Sequence, residues 1–260
     1  MENNGRNNSI FRGSDNPAFR QEILAENVID IPNGEVMTVN GAINKTAICL
    51  LLVVMAGAFV WNLALKGYMD MVQSLTFVSA IVAMIMGFVI IFKRQSQAIQ
   101  FLVPLYALFE GAFLGGVSFM FETYFPGVVL TAVKATILCV AVMLFLFKTG
   151  IIKVTDKLRA GIIMCTATIA GIYLIDILLS FFGIRVPFLY STSPVGIGVS
   201  VVVVIIAAFN LLLDFDFIYQ ASERFLPKFM EWYGAFGLMV TIVWLYIELL
   251  KLLAKFQRRD

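Results

Sequence analysis

The sequence predicts an all-α integral membrane protein, a bundle of seven transmembrane helices, from three observations. Of the 260 residues, 60% are hydrophobic and only 14% are charged, whereas about a quarter of the residues in a soluble domain are charged. The mean hydropathy is +0.91. Seven apolar runs are each long enough to cross about 30 Å of hydrocarbon, which takes roughly 20 helical residues. Lipid must therefore be the solvent for most of the chain.

The apolar runs are separated by short connections with charged residues, proline or glycine, which commonly end helices. Together the runs form a membrane domain of residues 45–260 that contacts the lipid bilayer. In chain order, the spans are predicted over residues 46–65, 71–92, 99–121, 127–147, 160–182, 195–218 and 234–253.

Residues 1–44 differ in composition from the rest of the chain. They are rich in asparagine, contain Pro17, Pro32 and Gly34, and lack sustained apolar periodicity. Such a segment cannot bury enough apolar surface to offset its chain entropy. We therefore predict a disordered polar tail. It is not a secretory signal, because no apolar signal segment precedes the first span.

Lysine and arginine are concentrated in the connections on one side of the predicted bundle. Cytoplasmic connections carry the excess of these residues, so the amino terminus is predicted to be cytoplasmic. The segment after the seventh span disagrees, because Lys255, Arg258 and Arg259 would then lie on the opposite side. The connections on the predicted cytoplasmic side contain Lys93, Arg94, Lys148, Lys153, Lys157, Arg159, Arg224 and Lys228. The connections on the opposite side contain only Lys66 and Arg185.

Composition also excludes several classes of function. The chain has no histidine, which excludes HExxH metalloproteases, Ser-His-Asp triads and histidine metal sites. Its three cysteines lie in apolar runs without ligand spacing and are predicted to be small packing residues. The net charge of +2 comes without the clustered basic face that nucleic acid requires. We predict a protein that is not an enzyme, binds no nucleic acid and has no resident cofactor or metal.

Ionisable residues inside the spans are candidate functional residues, because charges at membrane depth are costly and usually face the interior of the bundle. Any proton chemistry must therefore involve carboxylates. The acids inside the spans are Glu110, Asp176, Asp214, Asp216 and Glu248.

Asp214 is the acid predicted to face inward in the sixth span. Asp214 and Asp216 are two residues apart and point to nearly opposite sides of a helix. Asn210 lies one turn before Asp214 and shares its face, so the two form a polar stripe. Asp216 is then nearer the interface and solvated. Glu231, at the entrance of the seventh span, is a competing partner for Asp214.

Glu110 and Glu248 each permit two interpretations. Glu110 precedes Gly111 and Gly115, a small-xxx-small ridge that allows close helix approach, and it either bonds a neighbouring helix or acts in function. Glu248 lies three residues before Lys251 and either forms a local ion pair or shares a proton with another buried acid. Sharing arises because two carboxylates close together in low dielectric cannot both ionise.

Several segments carry a resemblance to a known family. Residues 37–46 (MTVNGAINKT) lead into the first span, and residues 104–111 (PLYALFEG) lie in the third. Residues 209–218 (FNLLLDFDFI) close the sixth, and residues 231–237 (EWYGAFG) with 243–248 (VWLYIE) make the seventh. Together these segments resemble the transmembrane Bax inhibitor motif family, in its bacterial YccA-like branch, over nearly the whole chain from Met37.

The resemblance implies a bundle whose seventh helix is central. It also implies a pH-sensitive cation leak channel, with calcium or protons as the permeant ion, gated by a pair of acids that match Asp214 and Glu248. The alternative is a non-transporting membrane regulator that binds a membrane protease or another membrane protein in a stress response. Compact loops and the resemblance together indicate a bacterial inner membrane.

Overall fold

The computed structural model describes residues 36–184 and 186–258, and seven long helices account for most of them. All seven are long and apolar enough to cross a membrane, which confirms the predicted all-α bundle. A four-residue helical turn, Pro187–Tyr190, precedes the sixth long helix. The helices are α1 (Val39–Leu65), α2 (Met69–Phe92), α3 (Ile99–Tyr124), α4 (Val128–Lys148), α5 (Asp156–Ser180), α6 (Pro194–Glu223) and α7 (Met230–Gln257).

Helix α1 begins at Val39, seven residues before the predicted start of the first span. The Thr38 side chain accepts a hydrogen bond from the Gly41 amide and caps the helix, the usual role of threonine at this position. The hydropathy of the sequence predicts the start of the first span too late, because the first turns of α1 are polar. Residues 1–35 of the predicted tail lie outside the described residues, whereas residues 36–44 form the cap and first turns.

Residues 36–38 are attached to the connection between α6 and α7. Val36 forms an isolated antiparallel bridge with Pro227, and the Met37 amide donates to the Leu226 carbonyl at 2.7 Å. The Met37 side chain is buried. This end of the membrane domain is therefore held by backbone contacts that precede the first helix.

Helix α7 is central, as expected. It packs against α1, α3, α4 and α6, and it is the most buried of the seven spans. The outer helices instead expose large apolar side chains, such as Phe77 of α2 and Leu138 of α4. Lipid can cover these side chains, so the outer surface suits a bilayer.

The predicted glycine ridge joins α1 to α3. A β-carbon added at Gly111 would collide with the backbone of Val53, and one added at Gly115 would collide with the backbone of Gly57. The two helices therefore approach until their backbones touch, which only the absence of side chains permits. Tyr106, on the turn of α3 that precedes Gly111, packs edge-on against Phe236 of α7 with ring centroids 5.1 Å apart.

Candidate functional site at the interface of helices α6 and α7

The interface between α6 and α7 brings together one face of each antiparallel helix. On α7, Thr241 and Glu248 are seven residues apart, and this spacing places both side chains on the same side of the helix. At one end of the interface, Gly234 lies against Ile218 of α6. At the other end, Lys255 of α7 contacts Ser200 of α6. These two contacts fix the register between the helices.

Asp214 of α6 faces α7 near one end of this interface. A β-carbon placed on Gly237 would lie 3.5 Å from Asp214 Oδ1, and the Thr241 side chain interacts with the Asp214 carboxyl. The second oxygen, Oδ2, is buried and has no hydrogen-bond partner among the described residues. Buried polar atoms are nearly always bonded, so Asp214 is an exception that calls for a functional explanation.

Glu248 of α7 is buried and fully bonded. The Tyr173 hydroxyl of α5 donates to both carboxylate oxygens at 3.0 Å each. Lys251 Nζ donates to Glu248 Oε1 at 2.8 Å and lies 4.6 Å from the centre of the Tyr173 ring. The local Glu248–Lys251 ion pair considered from the sequence is therefore present, and Tyr173 completes it.

The structure does not bring Asp214 and Glu248 into contact. Glu248 follows the Asp214 neighbour Thr241 by seven residues, which corresponds to about 10 Å along the helix axis. The register of the two helices places Leu211 of α6 and Leu245 of α7 at depths between the two acids, and both leucines are 0% exposed members of one buried cluster. Proton sharing with another buried acid, the second interpretation of Glu248, is therefore not found with Asp214, because each acid lies late in its own helix and the two helices are antiparallel.

Asp216 and Asn210 face α5 instead of α7. Asp216 Oδ2 accepts from Arg159 Nη2 at 2.5 Å and from Gln220 Nε2 at 2.7 Å. Asn210 Nδ2 donates to Thr166 Oγ1 of α5 at 2.8 Å. Asp216 is therefore ion-paired and not merely solvated, and Asn210 does not extend the Asp214 contact. Both side chains attach α5 to α6.

Glu231 has partners other than Asp214. Its side chain is 0% exposed and forms an ion pair with Lys45 of α1. It also accepts from the Thr38 amide at 2.9 Å and from the Thr38 hydroxyl at 3.0 Å. Lys228 Nζ lies 3.5 Å from the same carboxylate. Glu231 therefore joins the start of α1 to the start of α7, so the predicted competition for Asp214 is wrong.

Glu110 and Asp176 are bonded locally. Glu110 is half-buried and interacts with the Tyr106 hydroxyl one turn earlier in α3. Asp176 is buried near the end of α5, where its carboxylate accepts from the Val186 amide at 2.9 Å and from the Tyr190 hydroxyl. Asp176 thus holds the connection between α5 and α6.

A comparison with protein families decides the identity of the bundle. The family model described as Bax inhibitor 1 like matches residues 4–258. The chain belongs to the Bax inhibitor 1-like family. No curated protein and no solved structure gives a significant match.

In this Bax inhibitor 1-like protein, sequence reasoning missed two groups beside the predicted acids. Tyr173 was hidden within an apolar run, and only its position opposite α7 makes it a partner of Glu248. The sequence places Lys255 after the seventh span, yet its side chain is 9% exposed and contacts α6. Lys255, Lys251 and Glu248 line a cavity of about 570 Å³ at the carboxyl end of α7. The sequence signal for this cavity is the four-residue spacing of Lys251 and Lys255.

Proposed function

We propose that this Bax inhibitor 1-like protein conducts cations as a pH-sensitive leak pathway, with calcium as the expected ion and Asp214 as the gating group. The observation that carries this proposal is the buried, unpartnered Oδ2 of Asp214 between α6 and α7. A charged carboxylate with one oxygen left unpartnered in an apolar interface is costly. Loss of the Asp214 proton therefore favours water or a cation beside it, and hence separation of α6 from α7.

The pathway we propose runs along the α6–α7 interface and has an apolar barrier. Leu211 and Leu245 lie between Asp214 and Glu248 and keep water out of the closed bundle. Apolar constrictions close channels in this way. Beyond the barrier, Glu248 provides a second carboxylate, and an arriving cation would compete with Lys251 for it. Calcium prefers six to eight oxygen ligands, and these few oxygens favour weak passage over storage.

We also propose that the protein lies in a bacterial inner membrane with its amino terminus in the cytoplasm. The membrane is proposed from the compact connections and the family resemblance. The orientation is supported by the excess of lysine and arginine in the connections that follow α2, α4 and α6, because cytoplasmic connections carry these residues. The carboxyl end of α7 and the cavity beside Glu248 then lie on the opposite side.

The proposed gate is tested by calcium flux into proteoliposomes of the purified protein over a series of pH values. The wild-type leak should rise with pH, because removal of the Asp214 proton opens the interface. An Asp214→Asn variant cannot lose that proton, so its flux should no longer vary with pH. Asp216→Asn is the matched control, since Asp216 is paired with Arg159 away from α7, and it should keep the wild-type pH profile.

Two outcomes would contradict the proposal in different ways. An unchanged pH profile in Asp214→Asn would reject Asp214 as the gate. Flux no greater than that of empty liposomes at every pH would reject the leak pathway, and would favour a regulator that acts by contact with a membrane protease or another membrane protein.

A Leu245→Ser variant should leak at the acidic pH values where the wild-type protein is closed. The substitution shortens the apolar barrier and offers water a hydroxyl. A barrier lowered by roughly 1.4 kcal/mol would raise flux about tenfold. The control is Leu138→Ser, because Leu138 is exposed on the outer surface of α4 and its replacement should leave flux unchanged. Equal flux from the two variants would place the barrier elsewhere.

A further inference from the structure

The cavity at the carboxyl end of α7 has an apolar wall and cationic side chains that have no role in the proposed pathway. It lies between α3, α5, α6 and α7 and has a volume of about 570 Å³. Its apolar wall includes Phe121 and Phe125 at the end of α3 and Val199 and Val203 of α6. A volume of this size is typical of sites for small molecules, which are mostly apolar with a few polar groups.

Three cations at the carboxyl end of α7 line the same cavity. Lys251, Lys255 and Arg258 follow one another at spacings of four and three residues, so they lie along one face of the helix. Cations near a helix carboxyl terminus also interact favourably with the helix dipole. That interaction does not require burial, and therefore it does not explain Lys255.

Lys255 is a buried cation whose bonds go to neutral groups. Its Nζ donates to the Gly196 carbonyl at 3.1 Å and to Ser200 Oγ at 2.7 Å. Within residues 36–184 and 186–258, no carboxylate forms a salt bridge with it. A buried ammonium is costly unless an opposite charge compensates it. The described residues supply hydrogen-bond acceptors for Lys255 but no ion-pair partner.

The two acids of the cavity are already bonded to other groups. Glu248 accepts from Lys251 and Tyr173, and Asp176 accepts from the Val186 amide and the Tyr190 hydroxyl. Within the described residues, neither carboxylate forms a salt bridge with Lys255 or Arg258. The cavity therefore contains more positive than negative charge, next to an apolar wall.

We propose that this cavity binds one anionic phospholipid, with its phosphate on Lys255 and Arg258 and an acyl chain along the apolar wall. A phosphate offers several acceptor oxygens to two or three cations at once, as charge-assisted hydrogen bonds require. The apolar wall favours a lipid over free phosphate, because burial of an acyl chain adds hydrophobic stabilisation that an inorganic ion lacks.

Native mass spectrometry of the full-length protein in a neutral detergent tests this site. The probes are phosphatidylglycerol and phosphatidylcholine with identical acyl chains, together with inorganic phosphate as a competitor. The wild-type protein should retain one phosphatidylglycerol in preference to phosphatidylcholine. Equal retention of the two lipids would overturn the proposal. Displacement of phosphatidylglycerol by inorganic phosphate at an equal concentration would also overturn it, in favour of a site for the free ion.

Two variants assign the binding to the cavity. Lys255→Met keeps the length of the side chain but removes its charge, and the loss of a charge-assisted hydrogen bond should weaken phosphatidylglycerol binding at least about tenfold. Lys153→Met makes the same change at an exposed site between α4 and α5, and its affinity should equal that of the wild type. Wild-type affinity in Lys255→Met would overturn the proposal.

Arg258→Gln keeps the proposal testable if Lys255→Met does not fold. The Arg258 side chain is exposed, so its replacement should not disturb packing. This variant should bind phosphatidylglycerol several-fold more weakly than the wild type, while phosphatidylcholine binding stays the same. An unchanged affinity for phosphatidylglycerol would remove Arg258 from the site and overturn the proposal as stated.

Discussion

A Gly111→Ala variant is expected to unfold at a lower temperature than the wild-type protein, although alanine is the better helix former by about 1 kcal/mol. The reason is the contact between α1 and α3, where an added β-carbon would collide with the backbone of Val53. A side chain could relieve such a collision by changing its rotamer, but the helix backbone of α1 cannot. Overpacking costs about 1–3 kcal/mol, and the Gly111→Ala/Gly115→Ala double variant should lose more because it also meets the backbone of Gly57.

The unfolding temperature can be measured by labelling Cys49, because its side chain is buried on α1 and becomes reactive only when the protein unfolds. In a Cys139→Ser/Cys165→Ser background, a thiol-reactive dye reports the temperature at which Cys49 becomes accessible in detergent. Gly171→Ala is the matched control, because nothing lies within 4 Å of a β-carbon added at that position in α5. That variant should be at least as stable as the background. Equal unfolding temperatures for Gly111→Ala and Gly171→Ala would refute the importance of the close approach.

A Glu231→Gln variant is expected to be about 3 kcal/mol less stable than the wild-type protein. Removing one partner of a buried ion pair costs about 3–5 kcal/mol, because the other charge is left uncompensated. Glu231 is fully buried, but the Lys45 side chain is 17% exposed and retains some contact with water. The expected loss therefore lies at the lower end of that range.

A double-mutant cycle separates the ion pair from the other bonds of Glu231. Lys45→Met removes the cation, so the Glu231→Gln/Lys45→Met double variant should lose less stability than the sum of the two single variants. Glu223→Gln is the control, since Glu223 is exposed at the end of α6, and its stability should not change. Additive losses in the cycle would show that Lys45 and Glu231 do not stabilise each other.

The number and approximate positions of the helices follow from the sequence, because a segment surrounded by lipid must be apolar over its whole length and hydropathy measures this property. A close helix approach at Gly111 and Gly115 was also predictable, since two glycines four residues apart lie on one face of a helix, but the sequence did not identify α1 as the partner. The start of α1 was not predictable by the same means. Thr38 and Lys45 are polar, and hydropathy assigns polar residues to connections even where they cap a helix or pair with Glu231.

The partners of the intramembrane acids could not be predicted, because they depend on the depth of one helix relative to another. Asp214 and Glu248 were predicted as a pair from a resemblance, whereas the register between α6 and α7 places them about two turns apart. Asp216 was predicted to be solvated because its partner, Arg159, comes from a helix whose orientation the sequence does not specify.

Helix α5 has the smallest buried share of the seven spans. Among the described residues, three polar side-chain contacts along its length attach it to α6 and α7. They are Arg159 with Asp216, Thr166 with Asn210, and Tyr173 with Glu248. Hydrogen bonds between helices in lipid contribute modestly, on the order of 1 kcal/mol each. Under a pulling force, α5 should therefore be the first helix to leave the bundle, and refolding should end with its return. The remaining six helices, with α7 at their centre, would then constitute the intermediate that precedes the final step.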